Sequence, residues 1–440
     1  MKMKRFFAGL AAAALSAAMM AAPASASTIT STDFSYEGVE GGTHTFNKYL
    51  VMDSGVECPA AEFTYTVANG AAVTTYGNGE MEVYSGSKAT GTPTVANVVF
   101  AAGDTKTNGA ENDGITGNAG AGSVTEAYVR KDLIVDFRNV TFPEPGVYRF
   151  ILTENTTFDN GVSLRSTPAA RTLDVLVEDN QQNDHKLVVS SYVLYDREIN
   201  TAFVKENTLG GGNKAGETSD TVHKTDGYVN QYKSHEITFS KNVEGNQASR
   251  DKYFKFTVTI ENAPGAVITL DGDYVTNPTA TSATVYTATV MATANGVDDL
   301  SGEGKPEGQQ IVVPTSGTVT RDFYLQHGQE ITLTGVPEGA SYTITEDNED
   351  YKPAIEITGD TQTGDSALDS GAAIDTAGEK NTYTDTYLKS DTAAVFTNDR
   401  TGTVPTGVIL SIAAPCVIGV AVISGLVIMN IKKKKNESEE

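Results

Sequence analysis

GVYRFILTE, residues 146–154, and ASYTITE, residues 340–346, are the two segments on which the fold turns. In the first, Tyr148, Phe150 and Leu152 fall on one side of an extended chain and Arg149, Ile151 and Thr153 on the other. In the second, Tyr342 and Ile344 alternate with Thr343 and Thr345. A period of two in β-branched and aromatic residues reads as a half-buried β-strand. Each segment ends on a glutamate, Glu154 or Glu346, in phase with its apolar face. A carboxylate in that position is costly to bury unless it is paired.

The same alternation recurs outward from these segments. EFTYTV (62–67), YVRKDLIVDF (128–137), RTLDVLVED (171–179), KLVVSSYVLYD (186–196), YFKFTVTIE (253–261), ATVYTATVMA (283–292) and QEITLTG (329–335) all carry it. No window sustains a helical period. Gly/Asn/Asp/Ser stretches such as 109–123 and 209–220 separate the strands as loops. The fold class expected is all-β: two tandem immunoglobulin-like β-sandwiches. The chain also repeats itself. THTFNKYLVMD (43–53) matches HEITFSKNVEG (235–245), and an aromatic alternating strand follows each. Lys48 precedes Glu154 by 106 residues and Lys241 precedes Glu346 by 105. Two copies of one fold, meeting near Lys233, account for this.

Phase places a lysine and an asparagine inside each copy as well. Phe46, Lys48, Leu50 and Met52 share a face, as do Ile237, Phe239, Lys241 and Val243. Ala394, Phe396 and Asn398 share one, and so do Tyr228, Asn230 and Tyr232. Each copy therefore turns a Lys from its first strand, a Glu from a middle strand and an Asn from its last strand toward the core. Burial disfavours the charged form of both lysine and glutamate. A neutral amine can attack the Asn side-chain carbonyl while a protonated Glu polarises it and carries a proton to the departing ammonia. The product is a Lys–Asn isopeptide bond joining first strand to last. It forms once per domain, so no enzyme activity is expected beyond this self-reaction, and no cofactor or metal. The plainer alternative for each set is a satisfied core ion pair. In the first copy the asparagine is open: Glu346 to Asn398 is 52 residues and Glu154 to Asn207 is 53, against 76 to Asn230. Spacing favours Asn207. The aromatic two residues before Asn230, and its place eleven residues ahead of Lys241, favour Asn230, which is preferred.

The two ends agree on an extracellular protein. Lys2, Lys4 and Arg5, an apolar run Phe6–Ala22 and the small-residue site Ala24-Ser25-Ala26 form a secretory signal over residues 1–26. Residues 401–440 carry Val404, Pro405, Thr406 and Gly407, an uncharged run of 31 residues from Thr401 to Ile431, and four lysines, Lys432–Lys435. The run is long enough to cross a bilayer and the lysines hold its end in the cytoplasm. The chain has 32 basic and 56 acidic residues. Without the three basic residues of the signal, and the four basic and three acidic ones after Thr406, 25 basic and 53 acidic remain, a net charge of -28. Such a surface argues against nucleic acid as a partner. Only Cys58 and Cys416 are present, and Cys416 lies in the apolar run, so no disulfide pair braces the folded part. Cys58 reads as a small buried hydrophobe. Acidic loops such as 109–123 lack the spacing of an EF-hand and read as solvated turns.

VPTG followed by an apolar span and a basic stop resembles a sortase cell-wall sorting signal of the kind handled by class B-type pilin sortases. An ordinary single-pass anchor would not need the Pro-Thr-Gly. Together with TFNKYL, GVYRFILTE, ITFSKNVEG, KYFKFTVTI, YTITE and FTN, it makes the chain resemble Gram-positive pilins with streptococcal-type pilin isopeptide-linkage domains, in particular the two-domain major backbone pilins of group A streptococci. The resemblance implies cross-links Lys48–Asn230 (alternatively Asn207) and Lys241–Asn398, with Glu154 and Glu346 as the acids. It implies domains over 27–233 and 234–400 and cleavage between Thr406 and Gly407. The partners implied are a sortase, further copies of the chain or minor pilins, peptidoglycan and a host receptor. The place implied is the cell wall and pilus, after a membrane-held precursor. A polymerising pilin also needs an exposed lysine. The family's YPKN-type motif is absent, and Lys224, in a flexible loop expected near the domain junction, is the candidate by position, with Lys214 and Lys205 competing. The rival expectation is a wall-anchored adhesin attached singly to peptidoglycan on the same scaffold.

Overall fold

A computed structural model describes residues 36–402 apart from 74–81, 111–112, 117–124, 181–184, 200–221, 273, 276–284, 287–309, 360–371 and 379. The described residues are strands and connections, with one 3₁₀ turn at Gly86–Lys88 and no α-helix. The expected all-β class is what is found. The sequence segments that carry the leading peptide and the sorting signal lie outside the described residues.

The larger sheets form two pairs. Between residues 39 and 232, one sheet orders Val162–Leu164, Gly227–Tyr232, Thr43–Asp53, Glu126–Asp136 and Thr94–Val95. The sheet facing it orders Lys224–Thr225, Lys186–Tyr195, Ala170–Asn180, Gly146–Glu154 and Tyr65–Asn69. Their inner faces meet in one core, with Phe46, Leu50 and Leu133 from the first sheet against Tyr148, Phe150, Leu152 and Leu173 from the second. Between 234 and 399 the pattern returns. One sheet centres on Ser234–Glu244 between Glu330–Pro337 and Thr392–Asp399; the other has Ser341–Asp347 between Phe254–Glu261 and Lys380–Asp385. Ile237, Phe239 and Phe396 pack there against Phe256, Tyr342 and Ile344.

Three strand types carry the site, and their partners are the same in both halves. The lysine strands, Thr43–Asp53 and Ser234–Glu244, run parallel to the asparagine strands, Gly227–Tyr232 and Thr392–Asp399. The first asparagine strand passes through Lys233 into the second lysine strand. The halves touch where they join: Tyr232 Oη donates to the carbonyl of Gly335 at 3.0 Å and the Ala60 amide to Gly265 at 2.8 Å.

One expected strand is divided. EFTYTV breaks at Thr64, whose carbonyl accepts from the Asn155 amide at 2.9 Å. Ala61–Phe63 then pairs with Val98–Phe100, and Tyr65–Asn69 with Gly146–Glu154. Phe63 and Tyr65 both stay buried, so the alternation survives the change of sheet. Of ATVYTATVMA, only Val285–Tyr286 lies in the described residues. Cys58 is fully buried, and burial raises its thiol to about 12.

Candidate functional site

Register brings each lysine beside its asparagine. In a parallel pair, residues two apart on one strand present the same face. Lys48 lies opposite Tyr228, and Asn230 is two residues on, opposite Leu50. Lys241 lies opposite Phe396, and Asn398 is two residues on, opposite Val243. The offset is identical in the two halves. Gly227 permits the first pairing. A Cβ there would sit 1.7 Å from the backbone oxygen of Asn47, on the lysine strand.

The glutamate comes across the core from the facing sheet. In the first half Lys48 Nζ donates to Asn230 Oδ1 at 2.5 Å and to Glu154 Oε1. Tyr65, directly opposite Glu154 on the neighbouring strand, donates its hydroxyl to the same Oε1 at 2.9 Å. The Phe63 ring lies under the ammonium, 3.9 Å from its centroid. Arg171 stacks on Tyr228 at 4.1 Å and donates to the Gly227 carbonyl, bracing the start of the asparagine strand. Lys48, Glu154 and Asn230 are buried to within 1% exposure. Among the described residues, Asn230 Nδ2 and Glu154 Oε2 meet no partner. Burial pulls the Lys48 ammonium down to about 8, against the opposing pull of Glu154 and with a smaller push from Arg171.

The second half holds the same three groups differently. Lys241 Nζ lies 2.8 Å from Glu346 Oε1 and donates to the Phe396 carbonyl at 3.1 Å. Asn398 Nδ2 donates to that same Oε1 at 3.0 Å. Asn381, opposite Glu346 on the next strand, donates to Oε2 at 3.1 Å. The Phe254 ring takes the place of Phe63, 4.7 Å from the ammonium. Burial lowers Lys241 to about 8, again against its glutamate. The two sites thus bring together Lys48, Glu154 and Asn230, and Lys241, Glu346 and Asn398.

Sequence reasoning missed three members. Tyr65, Arg171 and Asn381 each touch a site and were not singled out. The phase test reaches two of them: Phe63 and Tyr65 share a face, and so do Asn381, Tyr383 and Asp385, all of them buried. Other expected residues lie apart. Asn207, Lys205, Lys214 and Val404–Gly407 fall outside the described residues. Lys224, expected in a flexible loop near the domain junction, is instead in the two-residue strand Lys224–Thr225, ahead of Gly227–Tyr232 and so at the other end of that strand from Lys233; it pairs with Tyr195 and is half-buried. Burial lowers its pKa. In the loop 109–123, the Asp113 carboxylate accepts the amides of Ala110, Ile115 and Thr116 at 2.7–3.0 Å, so its oxygens serve their own turn.

Comparison with known proteins places relatives beside this geometry. A family model described as a domain of unknown function, DUF7601, matches residues 235–400. A curated pilin of Streptococcus pyogenes serotype M1 is 26% identical over 308 residues, 68% of this chain and 71% of that protein. The solved major pilin from Streptococcus pyogenes is 20% identical, covering 83% of this chain and 100% of its own, with a TM-score of 0.43. A mutant of that pilin has a TM-score of 0.45 at 19% identity, over 82% and 100% of the two chains. The resemblance to streptococcal pilins drawn from the sequence motifs holds against the curated relative.

Proposed function

We propose that this chain is a structural subunit of a Gram-positive cell-surface pilus, made of two domains over 27–233 and 234–400, each closed by a self-formed Lys–Asn bond. The observation that carries the reading is the triad itself. A buried lysine, glutamate and asparagine recur at one register offset in both halves, each lysine lowered toward neutrality by burial. The likeness to a curated pilin supports the same conclusion.

The chemistry balances within each triad. A proton passes from Lys Nζ to the Glu carboxylate, leaving a neutral amine and a neutral acid. Nζ attacks Cγ of the asparagine while the acid hydrogen-bonds its carbonyl oxygen. The Nζ–Cγ bond forms, the carboxyl returns its proton to the leaving nitrogen as the Cγ–Nδ2 bond breaks, and the carboxylate then relays the surplus Nζ proton to the departing ammonia. Lysine ammonium and asparagine amide become a secondary amide and an ammonium ion. The reaction needs no cofactor and happens once.

On this reading residues 401–440 hold the precursor in the plasma membrane until a pilin-type sortase cuts after Thr406 and transfers the acyl group to a lysine of the next subunit or to peptidoglycan. Lys224 is the acceptor we favour. It sits just ahead of the first asparagine strand, at the far end of its half from the junction, while Arg400 ends the second half on the opposite side of the same junction. Intact-mass measurement of chain 27–402 tests the cross-links: two bonds remove about 34 Da as two ammonia molecules. Wall extracts on denaturing gels test the assembly. A ladder of covalent species that collapses with Lys224→Arg is expected. A single band would make the protein a singly anchored surface protein instead.

A further inference from the structure

We propose that Tyr65 in the first half and Asn381 in the second are positioning residues for the cross-linking glutamates, recruited from opposite flanking strands. The inference rests on the cross-linking reaction proposed above and concerns what holds its acid in place.

Each glutamate strand has two antiparallel neighbours. One neighbour is Tyr65–Asn69 in the first half and Phe254–Glu261 in the second. The residue facing the glutamate there is Tyr65 or Phe256. The tyrosine donates to Glu154 Oε1; the phenylalanine has nothing to donate. On the other flank the second half places Asn381 opposite Glu346, donating to Oε2. In the first half that flank is Ala170–Asn180, whose pairing ends at Thr153 with Ala170, and the Glu154 amide goes on to the Ala169 carbonyl. Alanine offers no side-chain donor. So each carboxyl receives one side-chain donor from a flanking strand, and the two halves draw it from different sides.

In the second half the donor fixes which oxygen does the work. With Asn381 on Oε2, Glu346 presents Oε1 to both Lys241, at 2.8 Å, and Asn398 Nδ2, at 3.0 Å. That oxygen can take the lysine proton and reach the amide without turning about Cγ–Cδ. A reacting group held by locked neighbours loses less on the way to the transition state. Asn381 is fully buried, and its own Oδ1 finds no partner among the described residues. An unmatched buried carbonyl is destabilising, and a leucine of similar shape would avoid it. The contact with Glu346 is what the asparagine provides in exchange.

The test follows closure of both bonds in one molecule. Chain 27–402, which contains every described strand, is recovered unfolded from inclusion bodies, diluted into buffer, quenched at intervals and peptide-mapped by mass spectrometry. Losing one hydrogen bond to a charged group slows closure by about ten- to a hundredfold. Tyr65→Phe slows the Lys48–Asn230 bond and leaves Lys241–Asn398 at the parental rate; Asn381→Leu does the reverse. Adding Phe256→Tyr to Asn381→Leu restores the second bond, since it supplies a donor from the flank the first half uses. A merely structural role for Asn381 would not be rescued in that way. If Asn381→Leu unfolds its half, Tyr65→Phe, which removes a single oxygen, carries the test. Parental rates for both bonds in both single variants would overturn the inference. A parent chain with no mass deficit would instead overturn the cross-linking reading beneath it.

Discussion

Glu346→Gln keeps the shape of the side chain and removes its capacity to take and return a proton. The second bond should then fail to form, and two costs follow. The bond from Lys241 to Asn398 spans 157 positions of chain. Closing a loop of that length removes unfolded-state entropy worth about 5 kcal/mol in the chain-entropy model. The variant also leaves Lys241 buried without its carboxylate, at about 3–5 kcal/mol. Together they approach the whole stability of a typical domain. Lys241→Met with Glu346→Gln removes the second cost and isolates the first. For a half of this size about 5 kcal/mol corresponds to a fall of about 10–20 °C in melting temperature. Calorimetry should show the second-half transition lowered by that amount in the double variant and the first-half transition unmoved. Intact mass should show a deficit of about 17 Da in both variants, one ammonia where the parent loses two. A Glu346→Gln chain that still loses two would show that the carboxyl is not the acid. A double variant melting with the parent would show that the bond does not brace the fold.

The pH profile of closure separates two versions of the chemistry. Each lysine loses its proton near pH 8. The reactive pair, neutral amine with protonated acid, holds one proton just as the ion pair does. The closure rate should therefore fall about tenfold per pH unit above that value, where the shared proton is lost; a rate that climbs through pH 8 would remove the acid role from the glutamate. Asn398→Ala leaves Lys241 unbonded, with its pKa near 8 folded against 10.5 unfolded. The unfolded chain then binds more protons across that window, so second-half stability should rise between pH 8 and 10.5, by about 3 kcal/mol. A urea midpoint that falls across the same range would contradict it. Gly227→Ala drives a Cβ into the Asn47 carbonyl and should cost about 1–3 kcal/mol or more. Peptide mapping should find the Lys48–Asn230 bond delayed and the second bond normal; equal closure of both would show that this close approach does not set the register.

What the sequence revealed were the properties local to one strand. Alternation put Lys48, Lys241, Glu154, Glu346, Asn230 and Asn398 on apolar faces, and all six are buried. Spacing between strands was a poorer guide. After the glutamate strand the second half passes through Lys352–Thr358, Ala372–Asp375 and Lys380–Asp385 to its asparagine. The first half passes through Val162–Leu164 and Ala170–Asn180, then adds the long strand Lys186–Tyr195 beside the latter before turning back. That strand and the residues after it lengthen the interval from 52 to 76 and made Asn207 look well placed. Phase turns Tyr65 and Asn381 inward, but what they meet there was out of reach for another reason. Each meets its glutamate through a cross-strand register, which no single strand's pattern contains.

The parallel pairing of lysine and asparagine strands gives the two proposed cross-links unequal mechanical roles. Load applied at Thr406 enters the second asparagine strand at its C-terminal end, while the lysine strand beside it is held from its N-terminal end through Lys233. In parallel neighbours this is shear along the eight paired positions from Ile237 with Thr392 to Glu244 with Asp399. A bond from Lys241 to Asn398 carries that load one residue after it enters, leaving the ladder below it idle. The load then runs up Ser234–Glu244 into Gly227–Tyr232 and, if Lys224 is the acceptor, leaves the subunit three residues before that strand begins. Nearly all of both sandwiches hangs off this path. The Lys48–Asn230 bond lies beside it, and would join it only if the acceptor lay ahead of Lys48. The choice of acceptor lysine therefore decides whether the first bond bears tension or serves only to keep its own half folded around the strand that does.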